Sequence, residues 1–564
     1  MFKLTIRAQR RTRGLAIAAI ALLSLGAAAA SIAAPGQETL VDLIRTGNRE
    51  AVLAAITSPD IDVNAAEPDG STALLWATYK VDHELVRALL KAGAKANVTN
   101  NYGAAPLTEA VKLGDVDLVR LLLEARADPN SPNQDGQTAL MLASSIGSLP
   151  ISELLIAKGA NVNAVEAFRG QTALMWAAAG NQPEVVDLLL AHHANVKVRA
   201  KYDDWPRQMT SEPRAQFRQT GGLTALLYAT RSGCYRCAVA IVKAGADVNQ
   251  PNPDGITPLI NAIDNRSYDI AMFLLDKGAN PSAWDMNGRT PLYVAVDMNS
   301  YSGASGFGNG NFAGFGEPVG PPRPPSTAKA MDLVERLLGM GVDPNHELTR
   351  MRPNGNGRGR FADYMMRGGT GPLMIAALSY DDVAIKALLT HGADVDAPNV
   401  FQITPLMAAA GMSGSARGSV GSAIGGPGQQ QIDAQARAIK TMDLLLDAGA
   451  NINARVIDSR TRTGKLVAYV QGRDHEGQTT IFSAAEAGWD RVVKHLLERG
   501  ADPTVRDAAR KTALDYARSP PPAGPGARAG GGGPAAAASR AATVALLEPL
   551  VPKSGGVGDV ATTK

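Results

Sequence analysis

The strongest constraint on this chain is a repeat. A Thr-x-Leu-type anchor, or its equivalent, stands at Thr72, Ala105, Thr138, Thr172, Thr224, Thr257, Thr290, Gly371, Thr404, Thr479 and Thr512. Six of the ten steps are 33 residues, one is 34, and three are longer. A fixed period of that length means one supersecondary unit copied many times, not a set of unrelated globules. Residues 253–284 show the unit most clearly. Pro253, Asp254 and Gly255 form a turn, Thr257 sits where a helix N-cap belongs, and Pro258 takes the first helical position. Leu259 and Ala262 begin an apolar stripe. A polar break at 264–267 precedes a second helix over 268–276, with Ile270, Phe273 and Leu274 facing inward. Gly278 ends that helix, because glycine takes the left-handed cap cheaply. Two such thin helices cannot bury both faces alone and need a copy on each side.

A terminator recurs in step with the anchor: GAKAN at 93–97, GANVN at 159–163, GADVN at 245–249, GADVD at 392–396, GANIN at 449–453 and GADPT at 500–504. Period, anchor and terminator together resemble the ankyrin repeat over roughly residues 37–518. A degenerate first unit over 40–64 brings the total to about twelve. The expected fold is an all-α ankyrin-repeat solenoid with short β-turn fingers and several loop insertions. At the position after the anchor leucine, where ankyrin repeats usually carry histidine, this chain has Leu75, Thr108, Met141, Met175, Leu227, Ile260, Tyr293, Met374, Met407, Phe482 and Asp515. The methionines there suit an adaptable core.

The expected organisation runs as follows. Residues 1–34 form a signal peptide: Lys3, Arg7, Arg10, Arg11 and Arg13 precede a short apolar run, and Ser31-Ile32-Ala33 offers a small-x-small cleavage site. Repeats 1–5 occupy 35–200, and a finger insertion follows at 201–221. Repeats 6, 7 and the first part of 8 occupy 222–298, followed by a Gly/Pro-rich insertion at 299–326. Repeats 8–10 continue over 327–410 with a finger insertion at 346–368, and a Gly-rich insertion follows at 411–435. Repeats 10–12 fill 436–518 with a finger insertion at 455–474. A low-complexity tail at 519–564 includes a capping helix over 541–550.

Composition narrows the function. The chain has 56 basic and 53 acidic residues, and five of the basic ones lie in the signal, so the mature protein sits near −2. That balance gives no general attraction to nucleic acid or to an anionic membrane. Charge is nevertheless uneven. The stretches 197–218, 346–368 and 455–474 hold 16 basic against 7 acidic residues, together with Trp205, Arg360, Phe361, Tyr364 and Tyr469. Arginine and aromatics are the common anchors of protein interfaces. The alternative is a set of solvated loops whose aromatics pack back on the stack.

The two cysteines, Cys234 and Cys237, fall at the start of the second helix of repeat 6. Positions i and i+3 share a helix face, so a disulfide fits, and export favours oxidation. A reduced packed pair and a redox-active CxxC remain open beside it. Haem attachment would require histidine where Ala238 stands, and zinc would require two further ligands. The seven histidines show neither HxxxH nor HExxH spacing, and no nucleophile elbow, P-loop or dinucleotide fingerprint is present. No cofactor, metal or catalytic residue is therefore expected.

The resemblance implies a non-catalytic protein-interaction scaffold that binds through the concave face of the first helices and the fingers. Carried over repeat by repeat, that face comprises Trp76, Tyr79, Lys80, Lys112, Trp176, Tyr228, Arg231, Asn261, Asp264 and Tyr293. For Trp76, Trp176 and Tyr228 a half-core position is the competing reading. The expected setting is the bacterial periplasm or outside, the expected partner a protein whose identity the sequence does not name, with cell-envelope components as a further class, no nucleic acid and no stable membrane insertion after cleavage. The alternatives are an envelope glycan or peptidoglycan binder, and a secreted effector or redox-active protein using the CxxC.

Overall fold

The computed structural model describes residues 39–202, 221–304, 326–349, 369–412, 427–457, 475–519 and 534–552. The signal segment lies outside them. Among the described residues the secondary structure is 24 α-helices and four isolated antiparallel bridges, an all-α repeat solenoid. The helices form twelve consecutive pairs, each a repeat with a first and a second helix. Two compact units divide the chain after Asp128. The first holds Leu40–Thr46 with Arg49–Ala55, Ala73–Tyr79 with His83–Lys91, and Pro106–Lys112 with Val116–Glu124. The second holds nine pairs, from Ala139–Ile146 with Leu149–Ala157 to Ala513–Arg518 with Pro534–Leu547. Within each unit, first helices pack on first helices and second helices on second helices.

The anchor threonine works as a helix cap. Thr257 Oγ1 accepts the Ile260 amide at 3.2 Å, and Pro258 fills the first turn. The same hydroxyl cap recurs at Thr72, Thr138, Thr172, Thr224, Thr290 and Thr404. Where Ala105 replaces threonine, Thr108 Oγ1 instead accepts the Ala105 amide. Each cap satisfies a donor that would be buried unpaired at the helix start. The turn between the two helices of a repeat passes through left-handed backbone, at Gly114 with φ +72° and, less comfortably, at Val81 with φ +58°.

The terminator asparagine ties one repeat to the next. Asn249 Nδ2 donates to the Gly278 carbonyl at 3.1 Å, and its Oδ1 accepts the Asn280 amide at 2.7 Å. Asn64 and Asn97 make the same two bonds in the first unit, as do Asn130, Asn163, Asn345 and Asn453 in the second. One side chain thus satisfies both a donor and an acceptor of its neighbour, which fixes the spacing between copies.

Four expectations are corrected. The first helix of repeat 8 runs Pro291–Ala304, so helical hydrogen bonding carries on into the glycine-bearing segment placed in the 299–326 insertion. The second helix of repeat 10 runs Pro427–Asp447, so the glutamine-rich end of the 411–435 segment is helix. The last helix starts at Pro534 and not at 541. It belongs to repeat 12, where Arg540 donates to the carbonyls of Ala517 and Glu486, at 3.2 and 2.9 Å. In repeat 7, Ile270 and Leu274 are core, while Phe273 is only half-buried, edge-on to Tyr235.

Candidate interaction surface

In the first unit the structure brings Trp76, Tyr79 and Lys80 together. Trp76 and Tyr79 lie three residues apart on one short helix and meet edge to face, with ring centres 5.9 Å apart. The Trp76 indole N–H donates to Glu67 Oε2 at 2.8 Å, and Arg45 lies 5.3 Å from the indole ring. Arg45 also pairs with Glu67 at 3.0 Å, and Lys80 Nζ donates to the Arg45 carbonyl at 2.8 Å. Trp76 is therefore half-buried and held by two charged neighbours, while Tyr79 is 59% exposed. Lys112, one repeat further on, pairs with Glu109 at 2.7 Å on its own helix.

The second unit treats the corresponding positions differently. Tyr293 is fully buried, packed in the core of repeat 8, and is not part of a contact face. Tyr228 is buried as well; its hydroxyl accepts from Gln171 Nε2, with Arg231 4.9 Å from its ring. Tyr293 stands in the register after the anchor leucine, where Leu75, Met141, Met175, Leu227 and Ile260 are also core, while Tyr228 stands in the register of Trp76 and Trp176 and is covered further. Trp176 is half-buried, and its indole N–H, shielded from solvent, meets no acceptor among the described residues. Asn261 Nδ2 donates to the Leu227 carbonyl at 2.9 Å and to Thr230 Oγ1 at 2.7 Å, so it joins repeat 7 to repeat 6.

Asp264 belongs to an ionic cluster. Arg289, from the turn leading into repeat 8, reaches Asp264 Oδ1 at 3.0 Å and Asp285 Oδ2 at 2.7 Å. The Asp285 side chain is fully buried, and that of Arg289 only 11% exposed. Burial holds the Asp264 carboxyl above its ordinary range, against the opposing pull of Arg289. Burial also acts against the charged guanidinium of Arg289, but the two carboxylates outweigh it and hold the group firmly protonated. One buried cation thus serves two carboxylates on neighbouring repeats.

Cys234 and Cys237 are joined in a disulfide, with Cα atoms 5.2 Å apart. Cys234 is the N-cap of the helix Tyr235–Lys243, and both side chains are buried. Trp205, Arg360, Phe361, Tyr364 and Tyr469 lie outside the described residues. The base of the first finger insertion is in view: Tyr202 pairs with Gly221 in an antiparallel bridge.

The largest exposed aromatics were not among the expected site residues. Tyr102 in the first unit is 74% exposed, and Phe168 in the second is 73% exposed; Tyr202 and Trp284 are also largely exposed. Tyr102 directly precedes the turn glycine Gly103, where Asp69, Asp135 and Asp254 stand in other repeats, and Phe168 lies two residues before Gly170, where Pro68 and Pro253 stand. An aromatic at either of these turn positions is the signal that would have found them. A shallow groove of about 410 Å³ lies on second helices of the second unit, lined by Tyr235, Asp269, Met272, Phe273, Asp276 and Thr327. Among the described residues, no group of three or more His, Cys, Asp or Glu side chains is arranged to hold a metal ion, and no helix is long and apolar enough to cross a membrane.

A family model described as ankyrin repeats in three copies matches residues 40–133, 117–200 and 226–305, and a single ankyrin-repeat model matches residues 476–508. The chain is built of ankyrin repeats. Comparison with the curated proteins finds no match. Ankyrin repeats indicate a protein–protein interaction scaffold. Between 306 and 475, where neither family model matches, the paired helices and the terminator asparagines continue the same architecture.

Proposed function

We propose that this ankyrin-repeat protein is an exported, non-catalytic scaffold of the bacterial cell envelope. It binds a protein partner through its first-helix face and the turns between repeats. The observation that carries the proposal is the preassembled group Arg45, Glu67, Trp76, Tyr79 and Lys80. It presents a mostly exposed tyrosine beside two cations on a rigid frame, and a rigid aromatic anchor is the usual centre of binding energy. The leader-like residues 1–34 support export.

The test is a photo-crosslinking residue placed at Tyr79 in intact cells, with Arg120, on the second helix of repeat 3, as the control position. A discrete protein adduct from Tyr79 and none from Arg120 supports the proposal. Adducts to glycan alone, or equal yields from both positions, overturn it. Fractionation with N-terminal sequencing of the mature chain tests export; a chain that retains residues 1–34 in the cytoplasm refutes that part.

A further inference from the structure

Each repeat of the first unit turns from its first helix to its second through one residue of left-handed backbone: Gly47 at φ +80°, Val81 at φ +58° and Gly114 at φ +72°. The bonding there demands that conformation. The Val81 amide donates to the Thr78 carbonyl at 2.9 Å, and the Asp82 amide to the Ala77 carbonyl at 3.1 Å. Gly47 with Asn48, and Gly114 with Asp115, make the same pair of bonds. Glycine takes such a position without strain, whereas a β-branched side chain crowds its own backbone. In the second unit Asn181, Arg266 and Tyr380 stand at this register, but among the described residues only Val81 is β-branched there.

Packing does not offset that strain. A Cβ placed at Gly47 or Gly114 would meet nothing within 4 Å, so this register opens away from the stack. Val81 itself is 42% exposed. Two residues earlier stands the exposed Tyr79, and at the end of the next first helix Leu113 is 44% exposed. The two helices pack on each other, so the three side chains share one edge of the first unit. The carboxylates of that edge are already engaged. Asp82 accepts the Leu85 amide at 3.0 Å and lies 3.5 Å from Arg49, and Asp115 accepts the Leu118 amide at 2.9 Å and meets His83 at 2.8 Å. Glu109 holds Lys112, and Glu67 holds Arg45. Lys80, exposed between Tyr79 and Val81, differs. Its ammonium donates to the Arg45 carbonyl and, among the described residues, meets no carboxylate.

We propose that Val81 is a binding residue whose strain serves recognition: with Tyr79 and Leu113 it forms an apolar edge, and Lys80 supplies a cation for a carboxylate, so the partner presents a protein segment with a large apolar side chain beside an Asp or Glu. The inference rests on the reading of the Tyr79 face as the face that takes a protein. A residue kept in a strained conformation, with its side chain in solvent, marks a site where stability yields to function. The two effects of Val81→Gly therefore have opposite signs. Relief of the left-handed valine tightens the fold, and loss of the apolar contact weakens the complex.

The test measures both effects on the full chain. A photo-crosslinking residue at position 79 reports binding in intact cells, and hydrogen exchange of 73–91 reports the fold. In Val81→Gly, exchange should slow about fivefold while the yield of the protein adduct falls by about fivefold or more. Val81→Leu, which keeps an apolar side chain, should hold the adduct within about twofold, and Lys80→Gln should lower it by about threefold or more with exchange of 40–46 unchanged. Mass spectrometry of the adduct should place the crosslink in a partner segment that carries Asp or Glu next to a large apolar residue. An undiminished adduct in Val81→Gly or Lys80→Gln, exchange of 73–91 that fails to slow in Val81→Gly, or a crosslinked segment without a carboxylate overturns this inference and leaves the face itself as a protein-binding face. Absence of any protein adduct from the unsubstituted background removes both.

Discussion

Removal of the Arg289 side chain should be the most damaging single change on the first-helix side of the second unit. Arg289→Met keeps most of the apolar stem but removes the guanidinium that pairs with Asp264 at 3.0 Å and Asp285 at 2.7 Å. Asp285 keeps the amides of Asn287 and Arg289, at 2.9 and 3.0 Å, so its carboxylate is not stripped bare. Its negative charge and that of Asp264 nevertheless lose their counter-ion in a buried setting. Breaking a buried pair from one side costs about 3–5 kcal/mol. The cost should fall with acidification. The Asp264 carboxyl already sits above its ordinary range through burial, and loss of Arg289 raises it further. A carboxyl whose folded pKa exceeds its unfolded value binds its proton more tightly in the folded state, so folding recovers as pH falls through that raised value. A repeat array does not unfold as one unit. The measurement is therefore hydrogen exchange of 258–264 and 291–296 at pH 7 and near pH 4.5, corrected for intrinsic rates. The expected acceleration at pH 7 is roughly 100-fold or more, shrinking at the lower pH. An acceleration under about fivefold at pH 7, or an equal one at both pH values, would refute the assignment of Arg289 as the counter-ion that makes this cluster tolerable.

Three further outcomes follow from local geometry. Val81→Gly should stabilise the first unit by about 1 kcal/mol, read as slower exchange of 73–91, because a β-branched residue is held there at φ +58°. Asp269→Ala should free the start of the helix Ala330–Gly339, at a cost of about 2 kcal/mol. Burial pushes the Asp269 carboxyl up, but its bonds to Thr327, Ala328 and Ser326 hold it below the ordinary range. Its contribution is thus present above the unfolded carboxylate range and lost as pH falls through the depressed value, which exchange of 330–339 between pH 7 and pH 2.5 would follow. Cys234→Ser/Cys237→Ser should weaken repeat 6 by about 2 kcal/mol, the small value expected for so short a loop; a loss of binding with no change in exchange of 225–243 would point to a chemical role for the thiols instead.

The period, the caps and the helix ends were readable because each rests on short-range physics. Thr257, Pro258 and Gly278 do their work within a few residues. The boundaries of 291–304 and 427–447 were not readable. The helix Pro291–Ala304 runs on through Asn, Ser and Gly residues whose own propensity argues against it, whereas the helix Pro427–Asp447 begins in a glutamine run that favours helix but follows directly on glycine-rich sequence. The candidate surface was half legible. Trp76, Tyr79 and Lys80 follow from register, but Arg45 and Glu67, which hold them, come from other elements and carry no local mark. Tyr293 stands in the register after the anchor leucine, where Leu75, Met141, Met175 and Ile260 are likewise buried, so the period itself marks it as core. Tyr228 shares its register with the half-buried Trp76 and Trp176, and there only the closeness of packing, which the period does not report, decides how much of the ring is covered.

The buried cysteine pair also fixes an order of events. Thiol oxidation needs an oxidant to reach sulfur, and in the finished fold both sulfurs are covered. The bond between Cys234 and Cys237 therefore forms fastest while repeat 6 is still undocked, since afterwards oxidation waits on local opening of that repeat. A chain that met its oxidant too late would seal two thiols inside, and the maturation of this array would depend on timing as much as on redox environment.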